Sequence, residues 1–282
     1  MIQFIIAIVI LVIGYFKRHI MPTRKKYDNM LSRLVTVFFL LAFGIGLTGY
    51  LYYSAHKKQI TKNIEDELSA IADLKVNQIV AWRSDLIKNA TSISTNEFVG
   101  AAVQQYFLQP DTPGLKQRIL TWLQSIRQIS EDKNVLLVDT QGVIRLSTVQ
   151  HSEPLGPRAR TWFDEALRTK QAFLSDVHRG ESVPYVHFDL IVPLIVQRGS
   201  TRIPIGALVI HVDPEKYLYP LIQSWPGSST TAETTLFKKE GDDIVFLNEL
   251  RHQKNTAFTL HIPSSKKLFP AAMAVAGKVG VF

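Results

Sequence analysis

Residues 34–53, LVTVFFLLAFGIGLTGYLYY, run for twenty positions without one charged side chain. A stretch of that kind predicts a helix across a membrane, because ~20 apolar residues span the hydrocarbon core. It closes on Tyr50, Tyr52 and Tyr53, rings suited to the headgroup layer. A buried helix of a soluble core is the alternative, but such helices usually keep a polar face. Whatever else the 282-residue chain does, it is expected to do it from a membrane.

A second uncharged run, residues 1–16, is short for a span. It reads as another membrane helix, an interfacial segment or the core of a signal peptide. The last is disfavoured because KRHIMPTRKK, not a small-residue cleavage site, follows it. Lys17, Arg18, Arg24, Lys25, Lys26 and Arg33 face the single acid Asp28 across residues 17–33, and they account for most of the formal net charge of +8. A short basic loop stays on the cytoplasmic side, so the chain is expected to leave residue 53 outward. The basicity is therefore a topology signal. No aromatic interleaving or recognition motif accompanies it, and nucleic acid is not an expected partner. The chain has no cysteine, which excludes disulfides, thiolate metal sites and cysteine nucleophiles.

After Lys57 and Lys58 the pattern turns helical. Ile64, Leu68, Ile71, Ile79, Trp82, Leu86, Ala90 and Ile93 form an apolar stripe at spacings of three and four, with no Pro or Gly between Ile60 and Val99. A long helix is expected over 57–108, able to pair with a second copy or to pack on its own domain. QPDTPG breaks it, and Thr112 then reads as the cap of a helix 113–130 with Leu115, Ile119, Trp122, Leu123, Ile126 and Ile129 inward. NVLLVDTQGVIRLST (134–148) reads as a hairpin around Asp139-Thr140-Gln141-Gly142, and 157–170 as a helix. VPYVHFDLIVPLIV (183–196) and IPIGALVIHVD (203–213) read as a second hairpin around QRGSTR, followed by a helix over 214–225 that Pro214 opens. The plan is α+β: antiparallel sheet with helices on its flanks. TTLFKKEGDDIVFLNEL (234–250) echoes the first hairpin, so an internal repeat is expected, with 227–282 a partial second copy.

This arrangement resembles the double Cache (dCache, PAS-like) sensor region of bacterial membrane receptors, of the kind found ahead of sensor histidine kinases or diguanylate cyclases. The segments carrying the likeness are ELSAIADLKVNQIVAWRSDLIKNA (67–90), NVLLVDTQGVIRLST, RTWFDEALRTKQAFLSDV (160–177), DLIVPLI with PIGALVIHVDP, and WPGSSTTAETTLFKKEGDDIVFLNELRH (225–252). The resemblance implies tandem PAS-like folds: a membrane-distal ligand-sensing domain over 109–226 and a membrane-proximal one, partial here, over 227–282. It also implies a further membrane helix and a cytoplasmic output domain, for which no phosphoacceptor helix, nucleotide loop or cyclase motif is present. The chain by itself is expected to be a sensor, not an enzyme, with no cofactor.

Amino-acid-binding members carry an Arg-x-Trp-[Tyr/Phe]-x-x-Ala signature, matched here by Arg160, Trp162, Phe163 and Ala166. An Arg fork can hold a carboxylate, and the rings can wall a small pocket; the plainer reading makes Trp162, Phe163 and Ala166 core and Arg160 solvated. The acidic residue for a ligand ammonium belongs five residues after the Gly that opens the last strand. Counted from Gly206 that position is His211, with Asp213 two further on. This departure makes a plain carboxylate or other anion as good a candidate as an amino acid.

Alternation puts Tyr185, His187 and Asp189 on one strand face and Val186, Phe188 and Leu190 on the other. If Gln197 pairs with Ile203, Asp189 faces His211 and His187 faces Asp213. Such pairs can be exposed ion pairs, a pH-sensitive patch or divalent-metal ligands; no metal ligand set is assigned. His178 is a further candidate for the lining. The expected ligand is thus small and anionic or zwitterionic, the expected partner a second copy through the long helix, and the expected place the inner membrane with the sensor outside. The competing reading is an interaction module with a vestigial pocket, signalling through a partner protein. A membrane-bound hydrolase has little support, since SWPGSS is not a nucleophile-elbow context.

Overall fold

The computed structural model describes residues 25–150, 153–180, 183, 185–227 and 229–280. The apolar run 1–16 lies outside them. The chain divides into two compact units, 1–66 and 67–282.

In the first unit, helix α1 (Lys25–Ser94) carries the uncharged run. Among the described residues it is the one helix long and apolar enough to cross a membrane. Leu34, Phe38, Leu40, Phe43, Ile45 and Tyr52 are all exposed, as suits a helix with lipid around it rather than protein.

From Glu67 onward α1 belongs to the second unit, where its stripe has a purpose. Ile79, Trp82, Leu86, Ala90 and Ile93 all pack into the main core. The helix does not run on to 108. It stops at Ser94, whose buried Oγ donates to the Pro193 carbonyl at 2.5 Å. Asn96 then caps α2 (Glu97–Leu108) by accepting the Val99 N–H at 3.2 Å. An asparagine side chain competing for backbone donors is what splits the expected helix in two.

Helix α3 (Leu115–Ser130) starts at Gly114, which sits at φ 73°. Thr112 is not its cap: its hydroxyl donates back to the Gln109 carbonyl at 2.9 Å and closes the preceding turn. Leu115, Ile119 and Leu123 are buried as expected, but Ile129 in the last turn is 83% exposed.

Strands β1 (Asn134–Asp139) and β2 (Ile144–Ser147) form the first hairpin. Helix α4 (Pro157–Thr169) follows, opened by a proline that costs the helix no hydrogen bond at that position. Two short strands, β3 (Phe173–Leu174) and β4 (His178–Arg179), lead into the long hairpin of β5 (Val186–Arg198) and β6 (Thr201–Val212). The sheet order is β2-β1-β6-β5-β3, with β4 also pairing on β5. Its hairpin turns tightly, with Gly199 at φ 61°. The expected pairing of Gln197 with Ile203 is not formed; Gln197 pairs with Arg202. An irregularity between Leu194 and Ile195 then shifts the ladder by one, so that Leu194 meets Gly206 and Asp189 meets His211.

Both faces of this sheet are covered. Val135, Leu137, Phe188, Leu190, Val192, Leu208 and Ile210 face α1, α2 and α3 in the main core. Leu136, Val138, Ile191, Ala207 and Val209 form a second core with Phe163 and Ala166 of α4. The helix expected over 214–225 is shorter, α5 (Leu218–Gln223). Residues 214–217 are a turn, in which Asp213 Oδ1 accepts the Glu215 N–H. Lys75, only 4% exposed, holds the end of α5 by donating to the Leu221 and Ser224 carbonyls and to Ser224 Oγ.

The expected hairpin after residue 234 is present as β7 (Phe237–Glu240) and β8 (Asp243–Phe246) around Gly241, joined by β9 (His261–Pro263). Helix α6 (Pro270–Val275) covers this small sheet, packing Ala271 and Ala272 on Ile244. The architecture is α+β with antiparallel sheets and a long N-terminal apolar helix.

Candidate functional site

The face of β5 and β6 that meets α4 is apolar in its middle and polar at one end. Period-two alternation carries Ile191 and Val209 onto that face, and the same parity carries His187, Asp189 and His211. Asp189 lies directly across from His211. Strand β4 then folds back so that His178 pairs with His187. Three imidazoles therefore surround one carboxylate. His187 Nε2 is 3.3 Å and His211 Nε2 is 3.6 Å from Asp189 Oδ1, while His178 Nε2 is 3.6 Å from Asp189 Oδ2. The His187 ring lies 4.6 Å from that of His178 and 4.5 Å from that of His211, centroid to centroid.

The cluster is dry. Asp189 is 1% exposed, and all three histidines are buried. The outer nitrogen of each ring is already engaged. His178 Nδ1 is 2.8 Å from the Asp176 carbonyl, and His187 Nδ1 is 3.2 Å from the Tyr185 carbonyl. A carbonyl oxygen only accepts, so each Nδ1 donates to it and Nε2 of each ring faces Asp189. His211 Nδ1 is held at 2.9 Å by the Tyr185 hydroxyl. Asp189 Oδ1 makes no well-formed hydrogen bond although two imidazole nitrogens crowd it.

Burial decides the protonation states of two of the rings. It pushes His211 down to about 4, aided by the neighbouring His187 and opposed by Asp189. It also lowers His178, against the opposing effects of the Asp176 carbonyl and Asp189. Burial acts to raise the Asp189 carboxyl, but contact with His187 and the field of the three rings outweigh it and leave the group below its ordinary value.

A cavity of about 40 Å³ opens over the cluster. Its wall is His178, His187, Asp189 and His211 on the sheet side, with Leu155, Arg158 and Ala159 among the residues opposite.

The expected lining residues divide on this geometry. Tyr185, His178, His187, Asp189 and His211 come together. Trp162 stands beside the cluster, its ring 5.2 Å from that of His178. Phe163 is wholly buried in the second core and does not line the cavity. Arg160 does not reach the cavity. It pairs with Asp164 at 3.0 Å, donates to the Gln141 carbonyl and lies over Gly142, so it ties α4 to the turn of the first hairpin. The arginine in the wall is Arg158, two residues earlier. Successive helix positions are ~100° apart, so Arg158 and Trp162 share a face that Arg160 cannot. Asp213 also leaves the cluster; it is buried and paired with Lys133 Nζ at 2.6 Å. The ladder ends at Phe188 and Val212, one step short of the expected pairing of His187 with Asp213.

No family model matches the sequence, and no curated protein matches it. Among solved structures, the chain is similar to the sensor domain of the Vibrio cholerae histidine kinase DctB, with 15% identity and a TM-score of 0.47 over 60% of this chain and 61% of that one. The match thus spans less than two thirds of that domain. The chain is also similar to the ligand-binding domain of the Pseudomonas fluorescens chemoreceptor CtaA in complex with L-serine (14% identity, TM-score 0.44, 70% of this chain and 76% of that one). A third is that of the Pseudomonas aeruginosa amino acid chemoreceptor PctB in complex with L-Arg (17%, 0.42, 70% and 75%). At these identities and TM-scores no residue role passes from them to this chain. These three are the sensor domain of a histidine kinase and the ligand-binding domains of two chemoreceptors.

Proposed function

We propose that the chain is the extracytoplasmic sensing region of a membrane-anchored receptor, and that the cavity over Asp189 takes a small anionic or zwitterionic molecule. The observation that carries this reading is the buried cluster of His178, His187, Asp189 and His211 opening on a cavity that Arg158 also lines. A domain interior satisfies its polar groups, so an unpartnered carboxylate oxygen at the foot of a cavity marks a place built for a ligand. An Arg side chain supplies donors for a carboxylate, and the Asp189 carboxylate an acceptor for an ammonium group.

An organic acid needs more room than about 40 Å³, since ligand pockets commonly hold ~300 Å³ or more. Entry therefore displaces the segment 153–159 that forms the outer wall, and this displacement is the conformational event that binding stabilises. Residues 109–226 would be the sensing domain, 227–282 part of a membrane-proximal one, and α1 the route to the membrane and to an output domain. Two copies would pair along α1, where Val76 and Val80 stay exposed one turn apart.

Thermal unfolding of the full chain in detergent, stripped of metal with a chelator and screened against amino acids and carboxylic acids, tests the reading. A ligand should raise the midpoint and lose at least tenfold in affinity in Arg158→Ala. Silence across the panel would favour the interaction-module reading.

A further inference from the structure

The same cavity admits a sharper assignment, which rests on its being a binding site. We propose that His178, His187 and Asp189, closed by His211, bind a divalent first-row transition-metal ion of the zinc class.

Four observations carry this. The first is spacing. His178, His187 and Asp189 place one ligand atom each within 4.8 Å of one another, and His211 Nε2 reaches the same carboxylate oxygen as His187. Tetrahedral zinc, with bonds of ~2.0–2.1 Å, sets its ligand atoms ~3.3–3.4 Å apart. The separations of 3.3 to 3.6 Å between nitrogen and carboxylate oxygen are of that size.

The second is the tautomer. Metal-bound imidazoles donate their other N–H to a carbonyl or carboxylate, which fixes the ring and its protonation. The Asp176 and Tyr185 carbonyls do this for His178 and His187. Their Nε2 atoms converge on Asp189 at 3.6 and 3.3 Å. With Nδ1 engaged as the donor, Nε2 is the nitrogen left to face a metal, and Asp189 sets an anionic oxygen beside it.

The third is Asp189 itself, whose buried Oδ1 lacks any hydrogen-bond partner. A buried anion without hydrogen bonds is costly, and a bound dication supplies what the side chains do not. The fourth is room: about 40 Å³ holds an ion and a water or two without moving the wall. The donor set also selects. Three imidazoles and one carboxylate suit zinc, nickel, copper or cobalt, whereas magnesium and calcium demand mostly oxygen.

The test uses the full chain in detergent, chelator-treated and then titrated with Co²⁺ as a spectroscopic stand-in. The expected result is one ion per chain with the visible bands of a nitrogen-rich, four-coordinate site, displaced by Zn²⁺ and indifferent to millimolar Mg²⁺. His187→Gln and Asp189→Asn should each weaken binding at least 100-fold, while Arg160→Ala, outside the cavity, leaves it unchanged. Circular dichroism checks that the variants fold, and His178→Gln, on a different strand, replaces any that does not. Absence of a one-to-one complex in the wild-type chain overturns the proposal, as does undiminished binding in folded variants. Running the organic panel on the same metal-free protein separates the two readings. Stabilisation by an organic acid without cobalt uptake sinks the metal site and keeps the sensing proposal; cobalt uptake with a silent panel does the reverse.

Discussion

Asp189 of β5 and His211 of β6 face each other directly across the ladder, and the pairing depends on Gly206, five residues before His211. The pairing is off by one residue at the hairpin tip and returns to phase where Leu194 meets Gly206. A Cβ at Gly206 would overlap the Val138 carbonyl oxygen on the neighbouring strand β1. Backbone cannot move aside as a flexible side chain can. Gly206→Ala is therefore expected to destabilise the chain by roughly 3 kcal/mol or more and to weaken any ligand of the His–Asp cluster. Chemical denaturation of the variant beside Gly199→Ala, a positive-φ position with open space around it, isolates the overlap from simple backbone strain.

Arg160 makes its contacts at the surface. Its ion pair with Asp164 is half-exposed on both sides, and such pairs contribute ~0–1 kcal/mol. Arg160→Ala should change stability by no more than about 1 kcal/mol and leave ligand affinity within twofold. A tenfold loss measured by calorimetry would place Arg160 back in the cavity wall.

Asp132 gives the fold a pH dependence that does not come from the histidines. It is buried, its Oδ1 has no partner, and burial raises its pKa to about 7 against the lowering effects of hydrogen bonds from the Asp213 backbone and from Ser130. The folded value exceeds the unfolded one, so the folded state holds the proton more tightly. Its contribution is fully present below pH ~4 and is lost as pH rises through about 7. Asp132→Asn should then be more stable than the parent at pH 8, on the order of 2–4 kcal/mol at ~1.4 kcal/mol per pKa unit. The gain should vanish at pH 4. Urea unfolding at pH 4, 6 and 8 reads both the size and the sign.

Because the chain has no cysteine of its own, a single introduced thiol reports pairing cleanly. If two copies meet along α1, Val80→Cys should form a disulfide-linked dimer under mild oxidation, and Asp85→Cys, about 140° around the helix and exposed, should form far less. Equal cross-linking at both positions, or none, counts against pairing through that face.

Local chemistry made much of this legible. The NVLLVD and VHFDLIV runs fall where hairpin signals put them, and alternation alone assigned His187 and Asp189 to one face. The partnership of Asp189 with His211 was legible as well, although the tip register used to reach it is shifted by one. Three things were legible in part or not at all. His178 could be named only as a candidate, because it joins through a two-residue strand, too short to show any period. Asp213 was close in number to His211, but Lys133 offered it a cation. Arg160 matched a signature by spacing, while the helical period gave the cavity to Arg158. Its share of a face with Trp162 was the signal that could have found it.

The displaced step at Gly206 has one more effect. Because the ladder resets there, the outer hairpin from Ile195 to Pro204 is a handle whose phase is independent of the cluster below. Residues can be added or removed at the Gly199-Ser200 tip, or a reporter grafted on, while Asp189 and His211 stay opposed. The shape of the outer hairpin is thus free to change in a lineage or a laboratory while the chemistry beneath it is held constant.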